Sequence, residues 1–220
     1  MSCREEKTML KKYRTIEKDG QYELDIKKSR FICHVKRVDN EDEALEFIAA
    51  VKKEHGKANH NCSAYMIGDH DEIQRAHDDG EPSGTAGVPM LEVLKKKELK
   101  NVAVVVTRYF GGVKLGAGGL IRAYGNAVSK TVEEIGLVEG NLQSEIQATI
   151  EYPLLGKVEN QLRGSTYTIK EILYTDKVTV ICLVNEEEKE NFYADMIEWV
   201  SDQVVFQEGP TSYYESKISL

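Results

Sequence analysis

Residues 108–127 read RYFGGVKLGAGGLIRAYGNA: six glycines in twenty residues, with Arg108, Lys114 and Arg122 and no acidic side chain. Upstream, Val102 to Val106 is a short, continuous, β-branched apolar run, the pattern of a strand buried on both faces. Downstream, Leu120, Tyr124, Val128, Val132 and Ile135 recur at spacings of four and three, the period of an amphipathic helix. The local order is therefore strand, glycine turn, long helix, with Gly111-Gly112 supplying the backbone freedom that the turn needs. Gly118, Gly119 and Gly125 fall at the start of the helix or inside it, where each costs up to about 1 kcal/mol relative to alanine. They serve either close approach by a neighbouring element or contact with a ligand.

The stretch fits neither familiar phosphate loop. Gly111 and Gly116 have Walker A spacing, but Ala117 and Gly118 stand where the lysine and the magnesium-binding hydroxyl belong. A dinucleotide pattern begun at Gly116 meets Ile121 where a third small residue is needed. What survives is a helix N-terminus with unpaired N–H groups beside cations, which suits an anion of unspecified kind.

A second unusual segment, HDDGEPSGTAGVPM (77–90), concentrates Asp78, Asp79 and Glu81 with Ser83, Thr85 and three glycines. Its carboxylates could hold a divalent cation or transfer protons, or its Asp and Ser side chains could simply stabilise a turn. No histidine stands at metal-ligand spacing, so no metal or cofactor is expected. His60-Asn61-Cys62 invites a nucleophile reading that adjacency in sequence alone does not support.

Working outward, Tyr22–Ile26 and Phe31–Val35 read as a hairpin, and Asn40 or Asp39 caps a helix with Ala44, Leu45, Ile48 and Val51 on its buried face. Cys62–Ile67 and Glu72–His77 read as strands around a Gly68–Asp71 turn, and Pro89 sits where a helix opens. From Ser144 the pattern restarts as strand, helix, two strands turned at Thr175–Lys177, helix and strand, a βαββαβ ferredoxin-like order. Two domains are expected, 1–142 and 143–220, in an α+β chain.

Charge divides the same way. Residues 1–142 carry 23 basic and 23 acidic side chains, whereas 143–220 carry 6 and 14, so the whole net charge of −8 belongs to the second part. That part disfavours RNA phosphate; it either engages a basic protein surface, with Tyr213-Tyr214 as a contact or as ordinary sheet packing, or simply orients the first domain. No apolar run reaches signal-peptide or membrane-span length, and Cys3, Cys33, Cys62 and Cys182 are too scattered for a disulfide framework. A cytoplasmic protein with reduced thiols, away from membranes, is expected.

DDGEPSGTAGVPMLEVL (78–94) followed by VVVTRYFGGVKLGAGGLIRAYGNAV (104–128) resembles the signature of the Impact/YigZ family, and the two-domain order extends the likeness over nearly the whole chain. The resemblance implies an N-terminal domain of the ribosomal protein S5 domain 2-like fold, as in elongation factor G domain IV. It also implies a ferredoxin-like C-terminal domain similar to domains III and V of that factor. Eukaryotic Impact proteins regulate translation by competing for the activator of a starvation-responsive kinase. The expectation is a non-catalytic, translation-linked protein whose partner is RNA, the ribosome or a translation-associated protein. Its binding surface would combine Asp78, Asp79, Glu81, Ser83 and Thr85 with Arg108, Tyr109, Gly111, Gly112, Lys114, Gly116, Gly118, Gly119 and Arg122. The alternative is a small-molecule enzyme or phospholigand-binding protein built on the same two loops, which are expected to lie side by side.

Overall fold

The computed structural model describes residues 9–218. Its elements run β1 (Lys12–Ile16), β2 (Gly20–Ile26), β3 (Ser29–Arg37), α1 (Glu41–Glu54), β4 (His60–Ile67), β5 (Ile73–His77), α2 (Gly87–Lys96), β6 (Val102–Tyr109) and α3 (Ala117–Ile135). β7 (Leu137–Ile150), α4 (Leu155–Arg163), β8 (Thr168–Tyr174), β9 (Val178–Asn185), α5 (Lys189–Val200) and β10 (Val205–Ile218) follow. The chain is α+β and its described residues divide into two compact units: 13–140 with 215–218, and 141–214 with 9–12.

In the first unit the sheet order is β2-β3-β6-β4-β5, every neighbouring pair antiparallel. The expected central strand is β6, buried along its whole length except at Tyr109. Its two faces serve different cores. Val102, Val104 and Val106 pack with Met90 and Leu94 of α2 and Tyr124 and Val128 of α3, whereas Ala103 and Val105 pack with Ala44, Ile48 and Val51 of α1. Helices on both sides explain why the run lacks polar alternation.

Local chemistry sets the boundaries. The β2–β3 hairpin turns at Lys27 and Lys28, both at positive φ, as a two-residue hairpin loop requires. Asn40 caps α1 by accepting the Glu43 N–H at 3.0 Å, and Glu43 returns the contact to the Asp39 N–H. Leu45, expected on the buried face of α1, is half exposed, because the stripe that meets the sheet is Ala44, Ile48 and Val51.

The second unit has the βαββαβ order, β7-α4-β8-β9-α5-β10. β7 pairs with β9, and β8 pairs with β9, in a five-stranded sheet of order β1-β7-β9-β8 in which β10 also pairs with β7. Ile146, Val180, Phe192 and Met196 are among the fully buried core residues. β7 begins at Leu137, seven residues before the strand expected from Ser144, so the chain passes from one unit to the other inside a strand. Tyr213 and Tyr214 are occupied within their own unit: their hydroxyls donate to the Leu10 carbonyl and to Glu145.

Cys33, Cys62 and Cys182 are buried free thiols, and Cys3 lies outside the described residues. Among the described residues no helix is long and apolar enough to cross a membrane.

The α1 face of the sheet carries a histidine cluster. His34 Nε2 and His55 Nε2 lie 3.1 Å apart, and His55 Nδ1 meets the Tyr109 hydroxyl at 2.9 Å. Burial and then the neighbouring His55 hold His34 below its ordinary value, while Glu54 opposes them weakly. The unfolded chain therefore binds a proton at this site more readily than the folded one, and stability falls as the pH drops through about 6.5. Denaturant titrations between pH 5 and 8 should show this loss, and His34→Leu should flatten it.

Candidate functional site

The alternation that divides the β6 faces also decides what the glycine-rich stretch can do. Arg108 points toward α3, and Tyr109 points to the α1 face, where it meets His55 and stacks under Arg30. Tyr109 is therefore separated from the other candidate residues. Arg108 stands opposite Phe31 on β3 and His60 on β4, and its guanidinium lies 5.4 Å from the Phe31 ring and 5.5 Å from the Phe110 ring.

The 77–90 loop reaches across to meet it. Arg108 Nη1 donates to Glu81 Oε1 at 2.6 Å, and both side chains are about 95% buried. The Tyr124 hydroxyl, from α3, donates to the same oxygen at 2.8 Å, and His60 Nε2 lies 3.9 Å away. One carboxylate thus ties a loop, a central strand and a helix together. Arg108 Nε is buried without a hydrogen-bond acceptor.

The other acidic candidates hold the loop itself. Asp78 accepts N–H groups from Gly84, Ala86 and Gly87, closing the loop onto the start of α2. Its burial opposes ionisation, but these hydrogen bonds outweigh that effect and hold the carboxyl below its ordinary range. Asp79 is held down in the same way: burial opposes, and Lys52 and the Asn61 N–H prevail. Thr85 donates to the Pro82 carbonyl, and Ser83 is exposed. Asp78, Asp79 and Thr85 thus spend their side-chain hydrogen bonds on the loop and its neighbours.

The Cys62 thiol donates to the Asp78 carbonyl, and burial pushes it up to about 12. Burial thus disfavours the thiolate that a nucleophilic cysteine needs.

The glycines separate by surroundings. A side chain at Gly111 would overlap the Lys28 carbonyl, and one at Gly87 would collide with the β5 backbone at His77, so close approach explains both. Gly125 faces Val93 of α2 at ordinary contact distance, and Gly119 faces Leu115. Gly112 and Gly116 have open space around them and φ values of 84° and 70°, so conformation alone requires glycine there. Only the end of the exposed Arg122 side chain comes near Gly118. Packing by a neighbouring element, one of the two expected roles, does not explain Gly118.

α3 opens at Gly116 without a side-chain cap and without an acidic residue in its first turn. Lys114 and Arg122 are exposed, and among the described residues no carboxylate pairs with either. Lys114, Gly116 and Ala117 line a cavity of about 390 Å3 with Glu81, Pro82 and Arg108, so the two loops do meet at one site. Arg122 opens instead onto a separate groove with Val93, Lys96 and Lys97. Asn59, His60, Phe110, Leu115 and Leu120 also line the cavity. Of these, Phe110 and Asn59 carried no signal in the sequence, since an exposed aromatic beside a glycine turn and an isolated amide match no motif.

This geometry describes a two-domain α+β protein whose first domain gathers two glycine-rich loops around a buried ion pair and leaves a helix N-terminus open. Residues 27–132 match the Impact N-terminal domain, and residues 149–203 match a domain of unknown function, DUF1949. IMPACT family member YvyE of Bacillus subtilis (strain 168) is 52% identical over 211 residues, covering 96% of this chain and 97% of its own length. Protein IMPACT of Rattus norvegicus is 35% identical over 95 residues, 41% of this chain and 29% of its own. A solved structure described as the crystal structure of an hypothetical protein aligns with a TM-score of 0.58 at 29% identity, over 90% of this chain and 97% of that one. The chain belongs to the IMPACT family.

Removing one member of a buried ion pair leaves the other charge without compensation, which typically costs about 3–5 kcal/mol. Arg108→Met should therefore destabilise the protein strongly. Adding Glu81→Gln to that variant should recover part of the loss. Chemical denaturation of the two variants checks both outcomes.

Proposed function

We propose that this protein is a non-catalytic, translation-linked member of the IMPACT family that works in the cytoplasm and contacts RNA, on the ribosome, through the glycine-rich face of its first unit. The carrying observation is the state of the cations there. Arg108 is neutralised by Glu81, while Lys114 and Arg122 are exposed near the uncapped start of α3 and have no carboxylate partner among the described residues, in a stretch with no acidic residue. Free cations beside open N–H groups are the elements of phosphate-backbone contact. The family resemblance, whose eukaryotic members regulate translation, supports the link to that process. The small-molecule enzyme reading loses its acid-base groups, because Asp78, Asp79 and Glu81 are all engaged in holding the loops.

Contact with a phosphate backbone makes affinity fall with salt. Each phosphate neutralised on a single strand contributes about 0.7 to the log–log slope, so Lys114→Ala with Arg122→Ala should reduce the slope by up to about 1.4. Ribosome co-sedimentation and RNA binding by the full chain across a salt series measure this. A salt-independent affinity, or a double variant with the wild-type slope, would overturn the reading.

A further inference from the structure

The cavity beside α3 has features that a phosphate contact alone does not use. Its volume, about 390 Å3, is in the range of small-molecule sites, about 300–1,000 Å3. Pro82, Leu115, Ala117 and Leu120 give it apolar walls, and Asn59 and His60 add polar groups. Phe110 is 44% exposed, a large aromatic ring left partly uncovered beside the Arg108 guanidinium. Arg108, although about 95% buried, keeps one N–H without an acceptor. At the cavity's edge are Lys114 and the uncapped turn of α3.

A matching occupant needs a flat face for Phe110, hydrogen-bonding groups on that flat body, and an anion at the helix start. We infer that the cavity takes one unstacked nucleotide unit, its base against Phe110 and its phosphate at Lys114 and the first turn of α3. The inference rests on the RNA-contact reading and narrows it to single-stranded chain. A paired, stacked base in an A-form duplex cannot present its face to an aromatic side chain, whereas a base in a loop or at a free end can. A free nucleotide carries the same chemistry as an RNA end, and the two sources are separable by experiment.

The test uses the full-length protein with four probes: a single-stranded RNA ten-mer carrying 2-aminopurine, the blunt duplex of the same sequence, AMP, and ribose 5-phosphate. The single strand should bind with a change in 2-aminopurine fluorescence, and at least about 10-fold more tightly than the duplex. Phe110→Ala should weaken single-strand binding about 5- to 160-fold, the range expected for one base on an aromatic ring. Phe110→Trp should retain it, and neither change should affect the duplex. Because Phe110 is half exposed, both variants should keep the wild-type circular dichroism spectrum.

If RNA binds but Phe110→Ala matches wild type, or the duplex binds as well as the single strand, the nucleotide site falls and the RNA-contact reading stands. If no RNA binds at low salt while AMP raises Tm in the wild type and not in Phe110→Ala, the nucleotide site stands and the RNA-contact reading falls. Ribose 5-phosphate stabilising the protein as well as AMP does would overturn the role given to the base. Failure of all four probes overturns both.

Discussion

The pairing of Glu81 with Arg108 is the constraint on which the first unit's candidate site depends. Two opposite charges, each about 95% out of water, meet at 2.6 Å, and the Tyr124 hydroxyl shares the same carboxylate oxygen. Such a pair contributes little net stability over a well-packed apolar substitute, but it tolerates very few geometries. Here it fixes the 77–90 loop against β6 and α3 at once, and Asp78 then sets the shape of that loop by gathering three backbone N–H groups. The cavity and the open turn of α3 lie beside this clamp.

Most of the fold was legible in the sequence because its signals are local. The β-branched run at 102–106, the Asn40 cap with Glu43, and the 3.6-residue recurrence from Leu120 to Ile135 each specify an element without reference to the rest of the chain. Two features with weaker local signals are less legible. Leu45 has an apolar side chain at a position that helical period turns away from the sheet, and the start of β7 was hidden because Leu137–Asn141 includes a glycine and a glutamate that read as a turn.

The site was legible in part. The two loops could be identified by their glycines and carboxylates, and their meeting could be anticipated. The roles within them could not, because they depend on which side chain reaches across. Nothing in the order Asp78, Asp79, Glu81 says that the first two bind their own loop and the third binds an arginine on a central strand. The period-two rule for strands did carry the information that Arg108 and Tyr109 face opposite ways, and grouping them on one surface overlooked it. Gly111 and Gly112, adjacent and identical, have unlike reasons, one a backbone contact and the other a dihedral angle.

Charge gives the two units different prospects. The acidic excess of 143–220 repels phosphate, and its tyrosine pair is engaged by the Leu10 carbonyl and Glu145, whereas Lys114 and Arg122 have no partner among the described residues. The proposed RNA contact accordingly belongs to the first unit alone. Amide hydrogen exchange on the full-length protein, with and without saturating RNA, tests that assignment most directly. Slowed exchange at the amides of residues 112–119, at the turn and first helical residues of α3, is the predicted result. Protection confined to residues 141–214, with 112–119 unchanged, would contradict it.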